Sequence, residues 1–309
     1  MSAAQVHADD APDRGLRSRL VAALGAWQPF SGRGLAQFAE ASALRLMLFQ
    51  AIFAAVFAFT LAWSYGRIVT PAVQAALQSL PPSDAGIRSG VLRWPEPGPR
   101  LLAASPQLAW VCDPAASGEL GLNADLQLDL RRDEIAVRGL LGSLSIPYPP
   151  NLDLPLDRTG APAVWGAWRI PLWAAIAGAA GLAMPAIWWL LATVYWLPAW
   201  GLGSLFARDL TASGALRIAA AALLPASLIP CLALAAYATL WVRAPGFVLL
   251  WMLHLPAGWL WLAWGILCRP PQSRRTPGAQ APESNPFSKE TGGTGKKRSR
   301  RPAKNPFDA

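Results

Sequence analysis

The chain has 309 residues, 53% of them hydrophobic and only 15% charged, against about 25% charged in ordinary soluble domains. Its 16 tryptophans and formal charge of +9 fit a protein that meets a membrane interface, where tryptophan concentrates. That composition excludes an ordinary soluble domain. Arginine outnumbers lysine 23 to 4, as in proteins encoded by GC-rich bacterial genomes.

Residues 1–43 form a polar N-terminal region. Within it Leu16, Leu20, Val21, Leu24 and Trp27 share one helical face, with Arg14, Arg17 and Arg19 on the polar side. Such a helix lies on an anionic membrane surface or packs on the protein's own inner face. The first apolar run, residues 46–66 between Arg45 and Arg67, is long enough to cross a hydrocarbon layer of about 30 Å. It starts too deep for a secretory signal and lacks a small-residue cleavage pattern, so a retained anchor over 44–66 is expected.

Residues 67–169 carry 9 basic and 10 acidic residues and read as a water-soluble α+β domain with its own core. The helix before it, around 71–80, continues from the first span. Strands are expected at 91–94, 108–112, 126–130, 135–138 and 143–147. The stretch LQLDLRRDEIAVRG, residues 126–139, reads as a hairpin by its period-two alternation. The leucines and Val137 are assigned to the core and Asp129 to water. On that basis Leu128→Ala should cost about 2–5 kcal/mol and Asp129→Ala little. Cys112 is expected to be a small buried residue ending a strand.

Residues 170–207 contain no charge over 38 positions, too many for one span and slightly few for two. One span over about 172–197 is expected, with 197–206 in the interface; a re-entrant pair is the other solution. Further spans are assigned to 218–242 and 246–268. Residues 269–309 carry 10 basic and 3 acidic residues with abundant Pro, Gly and Ser, the composition of a disordered tail. The basic tail marks the cytoplasmic side. Four spans then put both termini in the cytoplasm and residues 67–169 outside the cell's inner membrane.

No His-Glu-x-x-His, Gly-x-Ser-x-Gly or paired-cysteine zinc spacing occurs, so no catalytic, cofactor-binding or metal residues are assigned and no enzyme is expected. TGGTGKK at 291–297 lacks the first glycine and the Ser/Thr of a phosphate loop. His254 is the one ionisable side chain inside a span; it either satisfies carbonyls freed by the Pro256 kink or carries protons. Pro185, Pro225, Pro230 and Pro256 interrupt spans, and Ala174, Gly178 and Gly181 form a small-residue face for a second helix, within the bundle or in a dimer. KKRSRRPAK at 296–304 is suited to anionic lipid headgroups, with no aromatic platform for specific nucleic-acid binding. Asn-Pro-Phe at 285–287 and 305–307 could dock a cytoplasmic protein partner.

The order of anchor, β-rich domain and three proline-interrupted spans, with GVLRW at 90–94, LAWVCDP at 108–114 and the 126–139 hairpin, resembles the bacterial membrane family called domain of unknown function 1189, distantly similar to Yip-type membrane proteins. The resemblance covers about 43–268 and implies an α-helical membrane fold, four transmembrane helices with a small extracytoplasmic α+β domain between the first and second. It assigns no functional residues. The expected function is a non-enzymatic envelope sensor or scaffold working through the domain. The alternative is a transporter, or an accessory subunit of one, using the kinked helices and His254.

Overall fold

Three hydroxyl side chains start three of the helices. Ser31 accepts from the Gly34 amide (3.1 Å), Ser42 from that of Arg45 (3.3 Å) and Thr211 from that of Gly214 (3.0 Å), each satisfying an otherwise orphaned donor of a first turn. The computed structural model describes residues 28–82, 84–140 and 142–272. In chain order they form α1 (Gly32–Gln37), a 3₁₀ turn (Phe38–Glu40), α2 (Ala43–Gln78), eight strands β1 to β8, then α3 (Gly160–Leu205), α4 (Ala212–Ala226), α5 (Leu228–Ala238), α6 (Ala244–Met252) and α7 (His254–Leu267). Four segments are long and apolar enough to cross a membrane: α2, α3, α4 with α5, and α6 with α7. The small β region lies between the first and second of them.

α3 is one unbroken helix of 46 residues that contains Pro171, Pro185 and Pro198. The uncharged run is therefore a single helix and holds no re-entrant pair. At 1.5 Å per residue it is about 69 Å long, well beyond a hydrocarbon core of about 30 Å, so the helix outruns the expected span of 172–197 at both ends. The two later spans do break. Each break sits three residues ahead of a proline: Ser227 before Pro230, Leu253 before Pro256. A proline has no N–H and its ring collides with the carbonyl four residues back, which here belongs to the turn just before each break.

The bundle core contains Leu35, Phe38, Leu46, Ile218, Leu224 and Ile266. Ala219 to Ala222 are fully buried in α4; their small side chains let α2, α3 and α7 approach it closely, the packing mode apolar helices use where lipid offers no hydrophobic drive. The polar N-terminal region expected over 1–43 is thus partly core, since Leu35 and Phe38 are fully buried. The expected amphipathic face from Leu16 to Trp27 lies outside the described residues. The tail boundary also moves. Arg269 is buried and donates from Nη1 to the Ala36 carbonyl (3.3 Å) and to Glu40 (2.9 Å), and from Nε to the Asp209 carbonyl (3.0 Å). The first and last described residues therefore meet at one end of the bundle, and the β region stands at the other.

The β region contains two sheets. β1 (Gly86–Arg88), β2 (Val91–Arg93) and β8 (Leu154–Pro155) form the smaller, in the order β2-β1-β8. Its hairpin turns through Ser89 (φ 49°) and Gly90 (φ 73°), the doubly left-handed backbone of a two-residue turn. β3 (Arg100–Ala104), β4 (Leu108–Cys112), β5 (Leu126–Leu130), β6 (Glu134–Gly139) and β7 (Gly142–Pro147) form the larger sheet in sequential order. The expected hairpin is present, with Leu128 opposite Val137 and Leu130 opposite Ile135.

β4 and β5 run parallel, so the chain must cross over one face of the sheet between Cys112 and Leu126. That crossover overturns the expected exposure of Asp129, although Leu130 on the opposite face is buried as expected. Gln127 (0% exposed) and Asp129 (1%) are buried beneath it, while Leu126 is 41% exposed. Two-residue alternation separates two faces correctly but does not say that the rest of the chain covers both.

Candidate functional site

The polar face of the larger sheet is closed by side-chain hydrogen bonds. Gln127 Oε1 accepts from the Asn123 amide (2.8 Å), and its Nε2 donates to the Gly121 carbonyl (2.9 Å) and to Asp129 Oδ1 (2.8 Å). Arg138 Nε lies against Asp129 Oδ2 as an ion pair without hydrogen-bond alignment. The crossover's first turn is tied by Asp113, whose carboxylate accepts from the amides of Ser117 (3.0 Å) and Gly118 (2.8 Å). Burial opposes ionisation of Asp113, but these amides, the Ser117 hydroxyl and the Arg131 charge hold it below the usual carboxylate range. The turn after Cys112 thus has its polar groups satisfied internally, a structural use of Asp113. Cys112 is fully buried, and burial first, then Asp113 and Glu96, pushes its thiol up to about 12; it is no reactive nucleophile.

The opposite face is apolar and looks toward the helices. Leu102, Cys112 and Leu130 pack with Ala76 of α2, Leu80 just beyond it and Ala161 of α3. Between them lies a cavity of about 210 Å³ whose wall is apolar throughout: Val73, Ala76 and Leu77 from α2, Val164, Trp165 and Trp168 from α3, with Trp110 and Leu130 of the sheet above. Below it on the same helix pair is a notch of about 250 Å³ lined by Gly66, Thr70, Arg169, Ile170 and Trp173. Where the chain leaves α2 and re-enters α3, Arg158 Nε donates to the Leu80 carbonyl (2.7 Å), and Asp157 accepts from the Gly160 amide (2.6 Å). That bond, with those from Thr159, holds the Asp157 carboxyl below its ordinary range.

A second junction joins the sheet to the α5–α6 turn. Gln107 Nε2 donates to the Tyr237 carbonyl at the end of α5 (3.1 Å), and Asp125 Oδ2 accepts from the Ala244 amide at the start of α6 (3.3 Å). The start of α6, whose own N-cap residue Arg243 offers no side-chain bond, is thereby capped from the β region, while the end of α5, closed by its own Thr239 and Leu240 amides, gains one further bond. A cavity of about 440 Å³ lies beside this junction, between Leu126, Val137 and Leu144 of the sheet and Tyr237, Phe247 and Val248.

His254 does not line any of these cavities. Its Nδ1 pairs with the Trp251 carbonyl on the broken turn ahead of Pro256; a carbonyl only accepts, so that nitrogen carries the proton. On the small-residue face, a Cβ added at Gly181 would reach Ala58 of α2 at 3.8 Å, whereas one at Gly178 would meet open space. Among the described residues no group of three His, Cys, Asp or Glu side chains could hold a metal. The segments 285–287, 291–297, 296–304 and 305–307 lie outside the described residues.

Sequence reasoning missed both the cavity and the second junction. A trace of the cavity was available: Val73, Ala76, Leu77 and Leu80 recur at helical spacing beyond Arg67, and Trp165 and Trp168 precede Arg169 in the same way. These are apolar stripes on helices that have passed the charges bounding the apolar runs. Comparison with protein-family models, curated proteins and solved structures gave no match.

Proposed function

We propose that this is a non-enzymatic sensor or scaffold of the cell's inner membrane, with both termini cytoplasmic and the β region outside. Its basic tail rests on anionic headgroups and a protein partner reads its state. The observation that carries this reading is the double attachment of the larger sheet. One part packs on α2 and α3; the other bonds the end of α5 through Gln107 and caps α6 through Asp125. A ligand or partner that displaces the sheet would therefore act on both helix pairs at once. The transporter alternative draws on the broken helices and His254. The bond from His254 to its own helix supports a structural role there, so the sensor reading is preferred.

Exchange of backbone amides in the full chain tests the coupling. The double variant Gln107→Ala, Asp125→Ala removes both bonds, and exchange should rise across residues 237–248 by about tenfold, equivalent to about 1.4 kcal/mol of lost hydrogen bonding, while α4 is unchanged. Unaltered exchange in that turn would refute the coupling.

A further inference from the structure

We infer that the 210 Å³ cavity takes one acyl chain of an anionic phospholipid drawn from the surrounding leaflet, with Arg169 binding its phosphate. The inference rests on the reading above only in that α2 and α3 cross the membrane. Arg67 and Arg169 end the apolar runs 46–66 and 170–207, which sets them at the headgroup level. Both are exposed. Val73 and Ala76 lie six and nine residues beyond Arg67, about 9 and 14 Å along the helix, and Trp165 lies one turn beyond Arg169. Most of the cavity thus stands outside the hydrocarbon layer, while Leu172 in its wall lies past Arg169 in the uncharged run and brings the cavity's lower edge to the bilayer, beside the notch containing Arg169.

Its wall offers no titratable side chain, and its side-chain polar atoms are the indole N–H groups of Trp110, Trp165 and Trp168, the first two without a partner, so a charged ligand finds no counter-charge there. A 150 Å³ apolar cavity holds a benzene ring; on that scale 210 Å³ holds about eight carbons of a chain. The bilayer supplies such chains at the cavity's edge. Moving a chain from lipid to an apolar cavity changes little free energy, so selection must come from the headgroup. Arg169 makes no hydrogen bond or ion pair with any described residue, which leaves its five guanidinium donors available, and a phosphate is the group they fit best.

Full chain in lipid nanodiscs, containing either phosphatidylglycerol or phosphatidylcholine with a photoreactive diazirine in one chain, tests this by mapping the labelled peptides. The phosphatidylglycerol probe should label residues 73–80 and 161–172 more than the zwitterionic probe. Arg169→Gln, a change on an exposed side chain, should lower that labelling about fivefold, the effect of one basic residue at an anionic surface (about 1 kcal/mol). Ala76→Phe, which fills the cavity, should abolish it while labelling of 46–66 persists. Equal labelling by the two probes, labelling unchanged in either variant, preference for a diazirine-bearing free fatty acid, or label confined to 46–66 would each overturn the inference. None of these outcomes depends on which side of the membrane the β region occupies, so sidedness and lipid binding can fail separately.

Discussion

Asp129→Ala should destabilise the β region by about 3 kcal/mol, the low end of the cost of removing one partner from a buried ion pair. Asp129 is fully enclosed, and its loss strands two groups: Gln127 Nε2 keeps only the Gly121 carbonyl, and Arg138 keeps only a 3.3 Å bond to the same carbonyl. The Arg138 side chain retains 23% exposure, so water can reach the stranded cation, which keeps the cost from rising further. Amide exchange of β5 and β6 in the full chain should accelerate about a hundredfold. Asp129→Asn keeps an acceptor for Gln127 and should cost about 1–2 kcal/mol. Leu128→Ala, at a half-buried position, should cost less than Asp129→Ala. The order Leu128 above Asp129 would show that the crossover does not seal the polar face.

Phe38→Ala should cost the bundle about 3–5 kcal/mol, as deletion of a buried aromatic does. The ring is fully buried in the 3₁₀ turn ahead of α2, meets Phe49 edge-on with centroids 5.6 Å apart, and has the Arg45 guanidinium 5.0 Å from its centroid. Those two contacts each add about 0.5–1 kcal/mol beyond burial. Phe59→Ala, at a side chain 72% exposed on α2, is the control and should leave thermal unfolding of the detergent-solubilised chain nearly unchanged. Equal shifts for the two variants would mean that residues 28–42 are not part of the core.

Both predictions depend on information that does not lie along the sequence. The four apolar helices, the hairpin register and β2, β4, β5, β6 and β7 follow from local periodicity, whereas β1, β3 and β8 are not expected from it. Burial of the polar face of β5 is decided instead by a thirteen-residue connection between parallel strands, which must pass over one side of the sheet. Phe38 sits in a short polar-looking segment, and its burial comes from the far end of the chain. A Cβ added at Gly32 would strike Trp264 at 2.6 Å, and one at Gly265 would touch Leu35 at 3.0 Å. Charges bounded the apolar runs but not the helices, because α2 and α3 continue past Arg67 and Arg169 to support the sheet. The prolines announced kinks; only the structure shows that the helices break at Ser227 and Leu253.

In the proposed topology the β region and the chain termini lie on opposite sides of one membrane. Asp133, exposed at the hairpin tip, and Ser299, in the basic tail, are the positions to compare, in a background with Cys268→Ser, since the other native cysteines are buried. A membrane-impermeant maleimide, applied to intact cells after permeation of any outer membrane, should label Asp133→Cys at once and Ser299→Cys only after the inner membrane is opened. Labelling of Ser299→Cys in intact cells with protection of Asp133→Cys would contradict the account.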